Sequence, residues 1–153
     1  MTAEFERDVA QFWESLFAIV IDAEKRLAVR LTEHDLTQPQ FYVLKTLIEH
    51  DGRCAIGQIA REHGLTNATM TGLVKRLEAQ APPLVQRERN DADRRSVYVL
   101  LTPAGSARYQ AVQNDLLEQL RLLLMLFSPE ERRELLQLLS RYVETVVGHL
   151  PVD

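Results

Sequence analysis

The segment Ile56–Leu77, IGQIAREHGLTNATMTGLVKRL, and the basic turn Asp91-Ala92-Asp93-Arg94-Arg95 behind it constrain this chain more than any other stretch. Ala60 is the small residue that a helix needs where a second helix crosses it, and Gly64 permits the left-handed backbone of a tight turn. Leu65, Met70, Leu73 and Leu77 then supply an inward apolar face. A helix, a turn, a second helix and a hairpin tipped with arginines make up a winged helix-turn-helix, an arrangement that implies contact with duplex DNA.

With those leucines and Met70 inward, the second helix presents Asn67, Ala68, Thr71, Gly72 and Lys75 on its opposite face. Small residues let a backbone approach the floor of the major groove. Asn67 and Thr71 are suited to base edges, and Lys75 and Arg76 to phosphates. Thr66, Asn67 and Thr69 also suit a purely local role, capping and solvating the helix start. At the hairpin tip Arg94 and Arg95 have nothing to pack against. An extended arginine can enter the narrow minor groove, with Asp91 or Asp93 holding its guanidinium beforehand.

A formal net charge of -4 looks wrong for such a partner until its distribution is counted. Residues 53–95 hold 8 Lys/Arg against 5 Asp/Glu, leaving 10 against 17 for the remainder. Phosphate neutralisation depends on the local face rather than the sum, so one basic module is set in an acidic surround.

The flanks read as helices. Phe5, Val9, Phe12, Leu16, Ile19, Ala23, Leu27 and Leu31 recur at spacings of three and four with no Gly or Pro, which predicts one long amphipathic helix over residues 5–31. Thr37 caps a second helix with Pro39 in its first turn and Phe41, Leu44, Leu47 and Ile48 on its core face, and Asp51-Gly52 ends it. A short third helix spans Ile56 to Glu62, and a fourth runs from the Thr66 cap to about Gln80, stopped by Ala81-Pro82-Pro83. Val85 to Arg89 and Ser96 to Leu101 read as the two strands of the wing. Thr102-Pro103 opens a helix to about Phe127. The capping box Ser128-Pro129-Glu130-Glu131 opens the last, carrying Leu135, Leu138, Leu139, Tyr142, Val143, Val146 and Leu150. The predicted fold is mainly α, about six helices with a two-stranded β-wing. Residues 1–153 form a single unit with 37–101 as the reading region. The terminal stretches, 1–36 and 102–153, are apolar over more width than a small helix-turn-helix covers, which predicts homodimerisation through both ends.

Other classes find little to attach to. There is no nucleophile-base pair, phosphate loop or HExxH, so no enzyme is expected, nor any cofactor. No apolar run approaches the roughly 20 residues of a membrane span, and the acidic N-terminus lacks a secretory pattern, so a cytoplasmic location is expected. Cys54 is the single cysteine, which excludes an intramolecular disulfide; beside Arg53 it leaves a redox switch as an alternative. Glu33-His34-Asp35, His50-Asp51, Glu62-His63 and His149 leave metal sensing as another, without ligand spacing on one helix face, so no metal site is expected. A winged helix that binds only protein is a rival from a different class, and it would not need arginines at the wing.

The helix order, the segments Asp91-Ala92-Asp93-Arg94-Arg95 and Leu100-Leu101-Thr102-Pro103-Ala104-Gly105, and the run from Ile59-Ala60 through Gly64-Leu65-Thr66 resemble the multiple antibiotic resistance regulator (MarR) family over essentially the whole chain. The resemblance implies a winged-helix homodimer with interlocked terminal helices. It further implies binding to a pseudo-palindromic operator, usually to repress a nearby gene, with Asp93 bracing Arg95 in the minor groove. Ala81-Pro82-Pro83 departs from the family's glycine-containing turn and stiffens the link to the wing. Family members commonly release DNA when a small aromatic or phenolic ligand enters a cleft beside the dimer helices, which makes Trp13, Phe17, His34, Phe41 and Tyr109 the candidate pocket. Peroxide-sensing relatives carry their reactive cysteine in the first helix, where this chain has none.

Overall fold

Most helices begin at the cap their sequence encodes. Thr37 Oγ1 accepts from Gln40 N at 3.4 Å while Gln40 Oε1 accepts from Thr37 N at 2.9 Å, a reciprocal capping box. Ser128 and Glu131 repeat it at 3.2 and 2.7 Å. Thr66 Oγ1 accepts from Thr69 N at 3.2 Å and Thr102 Oγ1 from Gly105 N at 3.0 Å. Each cap satisfies an N–H that the first turn of a helix leaves unpaired.

These caps delimit the elements of a computed structural model that describes residues 1–89, 91–93 and 95–147; Asn90, Arg94, His149 and Leu150 lie outside the described residues. The helices are α1 Ala3–Glu33, α2 Gln38–Glu49, α3 Ile56–Glu62, α4 Asn67–Glu78, α5 Pro103–Leu124 and α6 Pro129–Tyr142, the last continued by a π-helical turn, Val143–Val147. The strands β1 Arg53–Ala55, β2 Val85–Arg89 and β3 Val97–Leu101 form one antiparallel sheet in the order β1-β3-β2. The chain divides within α5 into two compact units, 1–114 and 115–153.

The predicted mainly helical winged-helix class is the observed one, with differences of detail, among them Ile48, which is exposed rather than on the core face of α2. The wing gains a third strand, β1, whose Cys54 pairs with Val99. Three residues carry no readable alternation, and only the pairing defines them. Leu65, expected inward, is 38% exposed, because it stands between the turn at Gly64 and the Thr66 cap, outside the helical period. Val74 takes an inward place with Met70, Leu73 and Leu77. The fifth helix stops at Leu124 rather than near Phe127, where the Arg132 guanidinium donates to the carbonyls of Leu124 and Phe127 at 3.3 and 2.9 Å.

The core of the first unit is built from Val43, Leu44 and Leu47 of α2, Ile59 of α3, Met70, Val74 and Leu77 of α4, and Leu84, Val85, Val99 and Val112. Val99 is the inward residue of an alternating strand, and the α2 residues follow a helical stripe. Of the described residues of α1, Leu31 alone is buried.

One close approach sets the join between wing and α5. A Cβ placed on Gly105 would lie 2.0 Å from the Leu84 carbonyl oxygen and 2.8 Å from a Leu101 methyl carbon. No rotamer change relieves a clash with backbone. Gly105→Ala is therefore expected to destabilise the fold by about 3 kcal/mol, the upper part of the overpacking range, as read by chemical denaturation. A loss below about 0.5 kcal/mol, the scale of a neutral surface change, would contradict this.

Candidate nucleic-acid interface

The turn between α3 and α4 closes as its sequence requires. Gly64 adopts φ 62°, and the Leu65 amide reaches back to the Ala60 carbonyl at 2.9 Å. That 6→1 bond ends α3 and re-aims the chain into α4, with a glycine where other residues are strained. Ala60 is buried at the crossing, as expected.

On α4 the anticipated outward face is the accessible one. Asn67, Ala68, Thr69, Lys75 and Arg76 are exposed, and Thr71 and Gly72 are half-buried. Thr66 acts as the cap, and its hydroxyl donates to Thr69 Oγ1 at 2.9 Å, so both side chains serve the helix start. The Thr71 hydroxyl donates to Asn67 O at 2.8 Å, which leaves its lone pairs for an outside donor.

Two residues of α3 join this face that sequence reasoning did not place. Arg61 Nη1 and Asn67 Oδ1 lie 3.7 and 3.8 Å from the position a Cβ on Gly57 would take. The bare backbone at Gly57 thus opens a space over which a cation and an amide from successive helices converge. Arg61 was visible only as one of the module's cations, since α3 is too short for periodicity to assign its faces.

The wing is fixed to α4 at its base. Arg87 Nε donates to Glu78 Oε2 at 2.7 Å and Arg87 N to Glu78 Oε1 at 3.3 Å, so one carboxylate at the end of α4 holds the side chain and backbone of β2. The intervening Ala81-Pro82-Pro83 link, with a cis Ala81-Pro82 bond, is pinned as well. Leu84 N donates to Leu77 O at 3.1 Å, and Thr102 Oγ1 to Pro83 O at 2.6 Å. On the sheet, the Arg53 guanidinium lies 3.7 Å from the Tyr98 ring centroid.

At the tip, Asp93 braces the turn through the backbone. Its carboxylate accepts from Arg95 N at 3.0 Å and from Ser96 Oγ at 3.0 Å, and Ser96 N donates to Asp93 O at 2.9 Å. These bonds hold the Arg95 main chain, whereas the sequence suggested a grip on its guanidinium. A short acidic side chain reaches an amide two residues on more readily than a long side chain pointing away. Arg95 is exposed, and Arg94 lies outside the described residues.

The five candidate pocket residues fall into separate groups. Phe41 and Tyr109 stack with centroids 5.2 Å apart and are buried, joining α2 to α5. Trp13 and Phe17 touch each other at 4.3 Å on the open face of α1, and His34 follows its last turn. None of the five lines the cleft at the wing base, which is formed by Glu78, Pro82, Pro83, Val85, Gln86, Thr102, Pro103 and Ala104.

The histidines that follow α2 and α3 are hydrogen-bonded: His50 Nε2 lies 2.9 Å from Glu62 Oε1, and His63 Nε2 2.8 Å from Thr46 Oγ1. Desolvation alone would raise the Glu62 carboxyl, but the bonds from Gln58 and His50 hold it below the usual carboxylate range.

With this geometry in place, comparison with known proteins is decisive. The MarR family pattern matches residues 36–97, the second helix through the start of β3. The chain is 33% identical over 131 residues to the HTH-type transcriptional regulator YsmB of Bacillus subtilis, covering 86% of this chain and 88% of that one. The chain belongs to the MarR family. A solved MarR family protein from Bacillus stearothermophilus superposes with a TM-score of 0.82 at 28% identity, over 93% of this chain and 97% of that one. The Staphylococcus aureus MepR–DNA complex does so at 0.66 and 25% identity, over 87% and 98%. This MarR-family protein is accordingly a transcriptional regulator of a DNA-binding family, and not an enzyme. Among its described residues no helix is long and apolar enough to cross a membrane.

Cys54 faces the core of this regulator from β1 and is 3% exposed. Burial, supported by the Glu62 carboxylate, pushes its thiol up and away from the reactive thiolate. A thiol-specific disulfide reagent is expected to label Cys54 in denaturant and to leave the native protein unlabelled at neutral pH; rapid native labelling would overturn this placement.

Proposed function

We propose that this MarR-family regulator binds a pseudo-palindromic operator as a homodimer and represses the adjoining gene. In this reading α4 enters the major groove and the wing tip the neighbouring minor groove. The observation that carries it is the pairing of an accessible α4 face, Asn67, Ala68, Thr71 and Gly72 flanked by Lys75 and Arg76, with an Arg95 whose main chain Asp93 holds ready. Thr66 and Thr69 set the helix start, and Arg94 adds a second tip cation. Small residues and an amide suit base edges, and cations suit phosphate and the narrow groove.

The homodimer is supported by apolar surface left open on each unit. Phe5, Val9, Phe12, Trp13, Phe17 and Val20 are exposed along α1, and Leu136, Leu139, Tyr142 and Val143 along the C-terminal helical stretch. Patches of this kind mark association surfaces. The region 37–101 then reads DNA, and 1–36 and 102–153 associate, placing the half-sites about 10 base pairs apart, one duplex turn. In the same proposal a small aromatic effector relieves repression; because Trp13 and Phe17 stand apart from His34, Phe41 and Tyr109 within one protomer, the cleft that admits it forms between protomers rather than within one. The effector would raise the melting temperature of the free protein in a screen of phenolic acids, and a screen without any shift would count against it.

Binding to the DNA upstream of the regulator's own gene tests the central claim. The logarithm of the affinity is expected to fall with the logarithm of salt by about 0.9 per phosphate contact, and a flat response would refute groove binding. Arg95→Ala is expected to weaken binding by about 1–3 kcal/mol with the fold intact, and unchanged affinity would remove the wing from the interface. Asn67→Ala should alter preference at particular bases, whereas Lys75→Ala should weaken all sequences alike; uniform loss from both would reduce Asn67 to a positioning contact.

A further inference from the structure

Arg108, half-buried on α5, joins three stretches that are remote in sequence. Its Nη1 donates to His34 O at 2.7 Å and to Gln80 Oε1 at 3.3 Å, and Gln80 Nε2 donates to Asp35 O at 3.4 Å. His34 and Asp35 are the turn that ends α1, and Gln80 follows α4 by two residues. The carbonyls lie at a helix C-terminus, where intrahelical partners run out, and Asp35 reverses the chain there at φ 54°. A planar guanidinium serves two acceptors at a fixed angle, which a lysine ammonium does not.

The place of this triangle gives it leverage. Since Leu31 is the one buried residue among those described in α1, the helix is seated on its own unit at its C-terminal end. At a rise of about 1.5 Å per residue, a tilt of about 10° at that end displaces the far end by roughly 8 Å. Whatever grips the open face of α1 is thereby linked in angle to the end of the recognition helix.

We infer that Arg108 and Gln80 are positioning residues: the clamp from the His34–Asp35 turn to the end of α4 sets the angle between α1 and α4, and with it the half-site spacing that the dimer accepts. This rests on the proposed homodimer and adds a determinant of operator geometry that touches no base. Neither residue contributes to the accessible face of α4, so affinity for an isolated half-site does not depend on them.

The test uses the full-length protein and duplexes selected by it from random sequence, followed by fluorescence anisotropy. Three probes are compared: the selected two-site duplex, versions with one base pair inserted or removed between the half-sites, and a duplex with a single half-site. The wild-type protein is expected to lose about tenfold in affinity when the spacing changes. Arg108→Ala should reduce that penalty to about threefold or less while single-half-site affinity stays within about twofold of wild type. Gln80→Ala, which keeps the bond from Arg108 to His34, should move in the same direction, and it decides the matter alone if Arg108→Ala does not fold. Both variants keeping the full spacing penalty, whatever their melting temperatures, would overturn the clamp and leave the homodimer standing. A monomeric wild-type protein, or one that selects no two-site duplex, would overturn the homodimer and the clamp together.

Discussion

The start of α5 is pressed against the backbone of Leu84, and the geometry of the winged helix-turn-helix follows from that contact. Gly105 admits the Leu84 carbonyl where any side chain would collide with it. Thr102 fastens the same point, accepting from Gly105 N, donating its hydroxyl to Pro83 O, and passing its own amide to Leu84 O at 3.2 Å. Leu84 in turn bonds back to Leu77 at the end of α4. The exit of α4, both wing strands and the entry to α5 therefore meet at one densely hydrogen-bonded corner. The Leu101-Thr102-Pro103-Ala104-Gly105 run supplies the chemistry of this corner.

From it α4 and the wing, the two parts proposed to face DNA, acquire different kinds of rigidity. The α4 face is held from below by buried side chains, so its small and polar residues stand on a fixed floor. The wing is a thin sheet and depends on local bonds: Glu78 to Arg87 at its base and Asp93 to the Arg95 amide at its tip. An exposed ion pair by itself contributes little to stability. Here its consequence is directional, because a single carboxylate holds β2 at both backbone and side chain.

Much of the fold was legible beforehand because its signals are local. The capping boxes at Thr37 and Ser128 name their helices, Gly64 names the turn, and the alternation of Val97, Val99 and Leu101 names a strand. The α4 face was legible for the same reason, since a helix of known phase presents a known side. What escaped was non-local. β1 exists only through pairing with β3, and Arg61 and Asn67 come to border one space only because Gly57 carries no side chain there. Asp93 could be recognised as a brace, but which atoms of Arg95 it holds depended on the turn's conformation.

The sequence by itself determined where each element starts and stops and which face of it is apolar, because caps, glycines and periodicity act over a few residues. It also determined the sign of the local charge, which the chain's total conceals. Only the tertiary structure decided how those elements are fastened: that Gly105 sits on Leu84, that Glu78 holds the wing, and that Arg108 ties the end of α1 to the end of α4. Such contacts join residues far apart in the chain, and their existence depends on distances and angles that no short window of sequence contains.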